Sequence, residues 1–373
     1  MSEVDPFDDL YPENFDFNEF YESAVALDTP PWVQAFLGGI FMLLITVGNI
    51  WVIVAVFRQP KLRNSATNLF IVSLSVSDLI IALVFIPVHI ASFGYRLPIS
   101  NRGACKFLFY IHWAAMCGTT FSLICIGLDR FRAIVQPLRP KMTVTHAAIG
   151  CTIVWVCSLG YSSVKIFTND VITRNFTSIQ VYGNETVFGY VVSSECHIVD
   201  FKLDMIFRYV DLVVMYLIPL VILFVLYACM IITLWFGKAP TNSSNRSKKK
   251  AVKMLSFVVI QFAVTWLPNY SLQLYFVVTT RVPLIPFIWS NTPATMTTFF
   301  LLCNSWINPI LYAYFNENYR KEFKKLFPCF HKCKEGKVSP EDTARATAVS
   351  NKSGTTGTTK STAATNVSST VQA

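Results

Sequence analysis

Charge is scarce in this sequence. Charged residues make up 14% of its 373 positions, against about 25% in soluble globular proteins. Apolar residues reach 53% and mean hydropathy is +0.46, so much of the chain is not solvated by water. Basic residues are missing altogether from residues 1–28, which hold nine acids (Glu3, Asp5, Asp8, Asp9, Glu13, Asp16, Glu19, Glu22 and Asp28). The whole chain is +9, so the remainder carries about +18, in short blocks between apolar runs. Such blocks flank membrane segments rather than form a stripe for nucleic acid. The acidic start also lacks the basic and apolar regions of a cleavable signal peptide, so the first apolar run is expected to act as an uncleaved anchor. Histidine is rare, at five residues, and neither His-x-x-x-His nor Gly-x-Ser-x-Gly occurs. That leaves no basis for a membrane enzyme. No internal repeat is visible, which argues against a transporter built from repeated halves.

What is present is a series of apolar runs. A bilayer core takes about 20 apolar residues in helix. Runs at about 33–57, 67–93, 104–135, 147–168, 205–236, 252–279 and 286–313 qualify. Basic residues collect after span 1 (Arg58, Lys61, Arg63), after span 3 (Arg132, Arg139, Lys141), before span 6 (Lys238, Arg246, Lys248, Lys249, Lys250) and after span 7 (Arg320, Lys321, Lys324, Lys325). The positive-inside rule puts those loops in the cytoplasm and the N-terminus outside. The expected organisation is an acidic extracellular tail (1–32), a seven-helix bundle (33–314), an amphipathic interfacial helix (315–328) and a disordered cytoplasmic tail (329–373). The sequons at Asn175 and Asn184 fall in the loop after span 4, on the outer side. Cys105 and Cys196 both lie outside, where a disulfide is expected; two free thiols are the alternative. Cys329 and Cys333 follow the amphipathic segment and suit palmitoylation.

Polar side chains inside a membrane span are costly and mark function. Asn49, Asp78, Thr119, Ser122, Asn304, Ser305 and Asn308 sit at comparable depths. One carboxylate among amides and hydroxyls suits a hydrated cation. Asp78, Thr119, Asn304 and Asn308 are the expected sodium ligands, with a purely structural cluster as the alternative. Asp129-Arg130-Phe131 closes span 3; taken alone it reads as a helix-end charge pair.

The ordered set then becomes specific. Gly48-Asn49, Leu74, Asp78, Cys105, Asp129-Arg130-Phe131, Trp155, Pro219, Tyr227, Phe262, Trp266-Leu267-Pro268 and Asn308-Pro309-Ile310-Leu311-Tyr312 resemble the rhodopsin-like G-protein-coupled receptors over about residues 33–330. The resemblance implies an all-α membrane protein: a seven-transmembrane bundle with a short amphipathic eighth helix, at the plasma membrane. It implies a receptor in which an outer ligand shifts a two-state equilibrium. Trp266 senses the pocket floor, Pro268 kinks span 6, and Phe262 repacks near Pro219, with Thr120 at the position where relatives have a branched apolar residue. Asp129 holds Arg130 at rest. Tyr227 and Tyr312 move towards Arg130 in the active state, and Asn308 and Pro309 belong to the same activation switch. Arg130, Pro137 and Leu138 meet the heterotrimeric G protein. Lys248, near the base of span 6, offers Arg130 no acidic partner, so a weak resting restraint is expected. By the same analogy, receptor kinases and arrestin act on the Ser/Thr-rich tail, and the basic amphipathic helix meets membrane lipid.

Departures from the family narrow the ligand. His112, followed by Trp113, stands where amine receptors have an acid, and Leu302 stands where photopigments have lysine. Residues 1–32 and 277–288 contain no cysteine, unlike chemokine receptors. Arg130 through Lys141 resembles neuropeptide receptors, and the acidic tail interleaves Phe7, Tyr11, Phe15, Phe17, Phe20 and Tyr21 for capture of a basic peptide. A peptide is therefore expected, with a lipid or other non-amine ligand as the alternative. Asp211 is the expected ion-pairing contact; an internal pair with Arg208 or His112 is its alternative. Arg208, His112, Trp113, Met116, Asn269, Tyr270, Gln273, His89 and Thr298 complete the expected pocket.

Overall fold

Seven long helices run through the computed structural model, which describes residues 26–95, 97–182, 185–236, 242–278 and 291–326. They are α1 (Pro31–Arg58), α2 (Ala66–Gly94), α3 (Arg102–Val135), α4 (Val144–Thr168), α5 (Phe201–Asp211, Leu212–Leu217 and Ile218–Phe236), α6 (Asn242–Val278) and α7 (Thr292–Phe315). A short α8 (Glu317–Leu326) follows, and a single turn at Pro60–Arg63 joins α1 to α2. Residues through Phe323 belong to one unit; beyond it only the end of α8 is described.

Among the described residues, α1 to α6 are long and apolar enough to cross a bilayer. The seventh expected span differs. α7 has 24 residues, about 36 Å at 1.5 Å per residue, but it is not among those six. Thr292, Thr295, Thr298, Asn304, Ser305 and Asn308 dilute its apolar content, and all six are buried. Its polarity therefore faces inward, while Met296, Phe300 and Ile310 stay exposed. The described helix begins at Thr292; the expected start near 286 lies outside the described residues.

Proline shapes two of the helices. Pro87 and Pro219 each lack an N–H and press on the carbonyl four residues back. The turn ahead of each is widened into a π-helix, at Ile81–Phe85 and Leu212–Leu217, which relieves the clash. Pro268 and Pro309 sit inside α6 and α7.

The helices close into a ring through α1–α2, α2–α3, α3–α5, α5–α6, α6–α7 and α7–α1 contacts, with α4 packed on α2 and α3. Gly48 lets α7 approach, because a Cβ there would sit 3.0 Å from Pro309 Cγ. The large apolar residues left over, such as Leu43, Phe224, Ile260 and Phe300, face outward, as a lipid-solvated surface requires.

Between α4 and α5 lies an antiparallel hairpin, β1 (Asn169–Tyr182) and β2 (Glu185–Ile198), pairing Asn169 with Ile198 through Tyr182 with Glu185. This element was not expected. The expected glycosylation site Asn175 is on β1, opposite Val192; Asn184 lies outside the described residues, as do Cys329, Cys333 and both tails up to Val25 and from Phe327.

Candidate functional site

Three polar layers stack along the bundle. The first is at the end that carries the hairpin. Cys105 and Cys196 form a disulfide with Cα atoms 5.6 Å apart, and Cys196 pairs with Val171 across the hairpin. A second fastening lies beside it. Arg102 donates to both oxygens of Asp170 at 2.6–3.0 Å, and Lys106 approaches at 3.3 Å. The Arg102 guanidinium, helped by the Val171 amide and Lys106, holds the Asp170 carboxyl well below the usual carboxylate range. A depressed carboxylate contributes above its unfolded pKa and is lost only as pH falls through the folded value, so this tie stays ionised at neutral pH. Leu27–Thr29 is also clasped to the start of α7. Asn291 N donates to Asp28 Oδ1 at 2.5 Å, Thr29 N donates to Asn291 Oδ1 at 2.9 Å, and the Thr292 hydroxyl donates to the Leu27 carbonyl at 2.5 Å.

Below this cap sits a buried charge cluster. Lys165 donates to Asp204 Oδ1 at 2.6 Å, its ammonium 4.5 Å from the ring centres of both Trp113 and Phe207. Arg208 donates to the other oxygen of Asp204 at 2.7 Å. Asp211, fully buried, pairs with neither Arg208 nor His112, contrary to the alternative read from sequence. It accepts from Tyr161 at 3.2 Å and from Tyr270 at 3.0 Å. The reason is reach: Arg208 lies one turn from Asp204 and is held there, while α4 and α6 bring two phenols to Asp211.

From Tyr270 an aromatic ladder descends. Tyr270 stacks on Trp266 at 5.9 Å and on Tyr216 at 5.1 Å; Trp266 meets Phe262 at 5.1 Å. Tyr216 donates to the carbonyl of Ala263 at 2.9 Å, fixing α5 to α6 beside the proline of each. On α2 and α3 His112 stacks on Phe85 at 3.9 Å, and His89 stacks on Phe93 at 4.9 Å; the four line one small apolar pocket with Leu108 and Phe109. Gln273 donates to Asn269 at 2.6 Å; Met116 and Thr298 are buried.

The middle layer centres on Asp78. Ser305 donates to Asp78 Oδ1 at 2.8 Å, and Asn49 donates to the Ser305 carbonyl at 3.2 Å. Asp78 Oδ2, Thr119 Oγ1, Asn304 Oδ1 and the Asn308 amide are buried without a hydrogen-bond partner. Unpaired oxygens of one carboxylate, one hydroxyl and two amides are the donor set of a hard monovalent cation. The expected residues therefore fit sodium in chemistry. Ser122 is taken by Ser73 at 3.1 Å.

The third layer is at the opposite end. Arg130 Nε lies 3.5 Å from Asp129 Oδ2, and the Thr67 hydroxyl donates to that same oxygen. Tyr227, Tyr312 and Tyr319 are buried. Tyr319 donates to Asn68 at 3.2 Å and packs on Tyr312 at 5.8 Å. Between this layer and Phe262, Leu123, Leu223, Tyr227, Leu255 and Tyr312 bound a small apolar void. Leu138 is fully exposed and Pro137 is exposed beside it. The side chain of Lys248 is outside the description, but Lys250 of α6 reaches Glu317 of α8 at 3.4 Å. Sequence reading missed Tyr161, Lys165, Asp204, Thr67 and Tyr319. Lys165 was visible, since it lies inside an apolar run where any charge marks a site.

Comparison with known proteins agrees with this layout. The sequence profile of the family described as "7 transmembrane receptor (rhodopsin family)" matches residues 48–312. The chain is 28% identical over 321 residues to the tachykinin-like peptides receptor 99D of Drosophila melanogaster, covering 81% of this chain and 59% of that one. It is 29% identical over 324 residues to the QRFP-like peptide receptor of Branchiostoma floridae, covering 81% and 78%. It is 25% identical over 346 residues to neuropeptide FF receptor 2 of Rattus norvegicus, covering 90% and 81%.

Proposed function

Since the chain belongs to the rhodopsin family of seven-transmembrane receptors and is a multi-pass membrane protein, we propose that it is a plasma-membrane receptor, N-terminus outside, that binds an extracellular peptide and activates a heterotrimeric G protein. The names of the three relatives, each a receptor for peptides, support the ligand class. The observation that carries the mechanism is the Asp211–Tyr270–Trp266 connection. A basic group of the ligand takes Asp211 from Tyr270. The freed phenol releases Trp266, Phe262 repacks against α5 near Pro219, and α6 swings about Pro268. Binding energy reaches the far end only as the difference between the two states. Asp78, Thr119, Asn304 and Asn308 would hold sodium in the resting state, where it would supply the missing positive charge.

At the other end Asp129, itself engaged by the Thr67 hydroxyl, holds Arg130 until α6 moves; Tyr227 and Tyr312 then close on it. Arg130, Pro137 and Leu138 face the G protein. Receptor kinases and arrestin act on the C-terminal tail, and the basic face of α8 lies on anionic lipid.

The reading is tested in cells carrying a promiscuous Gα reporter, challenged with a peptide library and matched monoamine and lipid sets. Responses to peptides alone are expected; responses confined to amines or lipids would overturn the ligand class. Asp211→Asn is expected to weaken a basic peptide about 10- to 100-fold, the loss of one charge-assisted hydrogen bond. Tyr270→Phe, which removes one of the two resting partners of Asp211, is expected to raise basal signalling with affinity retained. Unchanged affinity in the first variant would return Asp211 to a structural role.

A further inference from the structure

Asp204, Arg208 and Asp211 follow one another on α5 at helical spacing, so their side chains share one stripe. Asp204, Phe207 and Asp211 are buried, whereas Leu203, Ile206, Tyr209 and Val210 are exposed. The stripe therefore faces the bundle interior, where Lys165 of α4 joins it. Two cations and two carboxylates leave this set neutral. Their engagement is unequal. Lys165 is fully committed, donating to Asp204 with its ammonium over the rings of Trp113 and Phe207. Arg208 is not. It spends only Nε, on Asp204 Oδ2 at 2.7 Å. Its two terminal nitrogens donate to nothing among the described residues, and its side chain is 30% exposed, so a ligand can reach it. A guanidinium held at Nε presents those two nitrogens as a planar fork, which matches the paired oxygens of a carboxylate.

We infer that this fork receives a carboxylate of the ligand, and that the ligand is a peptide ending in a basic residue with a free C-terminus. The inference rests on the reading above in which a basic group takes Asp211. Charge supplies the reason for an anion. A cation arriving alone at Asp211 would leave the set with one uncompensated positive charge, and such a charge held out of water is costly. A ligand that brings its own carboxylate restores neutrality. Distance supplies the reason for a chain end. Asp204 and Asp211 lie on one regular helical segment, about 10 Å apart along its axis at 1.5 Å per residue. The head of Arg208 is drawn back to Asp204, on the hairpin side of Asp211. One long basic side chain spans that interval from its own terminal carboxylate. The terminus then rests on Arg208 while the side chain points down to Asp211 and displaces Tyr270. An amidated terminus carries no charge for the fork. Arg208 thus sorts peptides by their last group, and Lys165 steadies Asp204, which holds Arg208 in place.

The test uses the full-length receptor in nanodiscs and short synthetic peptide libraries ending in Arg or Lys. Each library is made both as the free acid and as the C-terminal amide, and retained peptides are counted by affinity-selection mass spectrometry. Free acids are expected to be retained at least ~10-fold over their amides, the effect of one charge-assisted contact. Arg208→Lys keeps a cation beside Asp204 without the fork and is expected to lose most of that preference; Arg208→Gln is expected to lose all of it. Asp211→Asn should weaken acids and amides alike. The comparison on the native receptor needs no variant, so a variant that fails to fold does not decide it. Equal retention of acids and amides by the native receptor would overturn the inference and leave the peptide class standing. Retention of neither would overturn both. A preference that survived in both Arg208 variants would place the carboxylate elsewhere and remove Arg208 from the site. Amides that matched acids in chloride, and fell away when a bulky sulfonate replaced it, would assign the fork to a free anion and overturn the inference too.

Discussion

Replacing Arg130 with alanine is expected to reduce agonist-driven nucleotide exchange on the G protein by ~30-fold or more, while peptide affinity stays within about threefold. The first figure follows from removing one member of a desolvated charge contact, which costs about 2–5 kcal/mol. The second follows from distance. His112 and Arg130 lie on one helix, 18 residues apart, which is about 27 Å at 1.5 Å per residue. A truncation at one end therefore reaches the other only through the two-state equilibrium. The restraint on Arg130 makes an opposite prediction for its neighbours. Asp129 Oδ2 is shared between Arg130 Nε and the Thr67 hydroxyl, so Thr67→Ala loosens the carboxylate and should raise basal exchange without touching the guanidinium. Purified receptor and G protein in nucleotide-exchange assays read all of this. Exchange by Arg130→Ala near the native level would remove Arg130 from the mechanism.

The helices were legible because membrane spans write themselves as local composition. The run at 33–57 becomes Pro31–Arg58, and 104–135 becomes Arg102–Val135. Where boundaries moved, a local rule had been applied too strictly. α6 begins at Asn242 rather than 252, because Arg246 and Lys248–Lys250 were taken for a loop although Lys and Arg are good helix formers. α7 lost apolar character to the polar residues it turns inward. The hairpin escaped because strand pairing is non-local, yet a signal was present. Gly183-Asn184 separates two stretches rich in β-branched and aromatic residues, a spacing that favours a two-residue turn.

The candidate site divides along the same line. Residue types that mark it, such as Asp78, Asp211, Arg130 and Trp266, could be picked from the sequence, because charge and proline are conspicuous in an apolar run. Their partners could not. Asp211 meets Tyr161 and Tyr270, 50 and 59 residues away, and Asp129 meets Thr67, 62 residues away. A hydroxyl gives no sign in the sequence of which carboxylate it will face. Only the ring closure of the helices decides that.

The largest effect on ligand binding is expected from Cys196→Ser. The bridge to Cys105 closes a loop of 91 residues; in the chain-entropy account, loops near that length lose about 4–5 kcal/mol of denatured-state constraint when opened. For a receptor the local consequence matters as much. Cys196 pairs with Val171 in the hairpin, and Cys105 heads α3, which carries His112, Trp113 and Met116. Without the bridge the hairpin is tied to α3 chiefly by Arg102, Lys106 and Asp170. Arg102 is largely exposed there, and an exposed ion pair is screened by solvent and contributes little. The hairpin should then lose its register over the outer end of α3, and peptide affinity should fall by ~100-fold or more, with a smaller loss of folded receptor at the cell surface. Counting surface receptor by an N-terminal epitope and measuring peptide binding per receptor separates the two effects. Adding Asp170→Asn to Cys196→Ser should deepen the binding loss, whereas Asp170→Asn alone should change it little, because the bridge then carries the register. Native affinity in the Cys196→Ser receptor would mean that the hairpin takes no part in ligand binding.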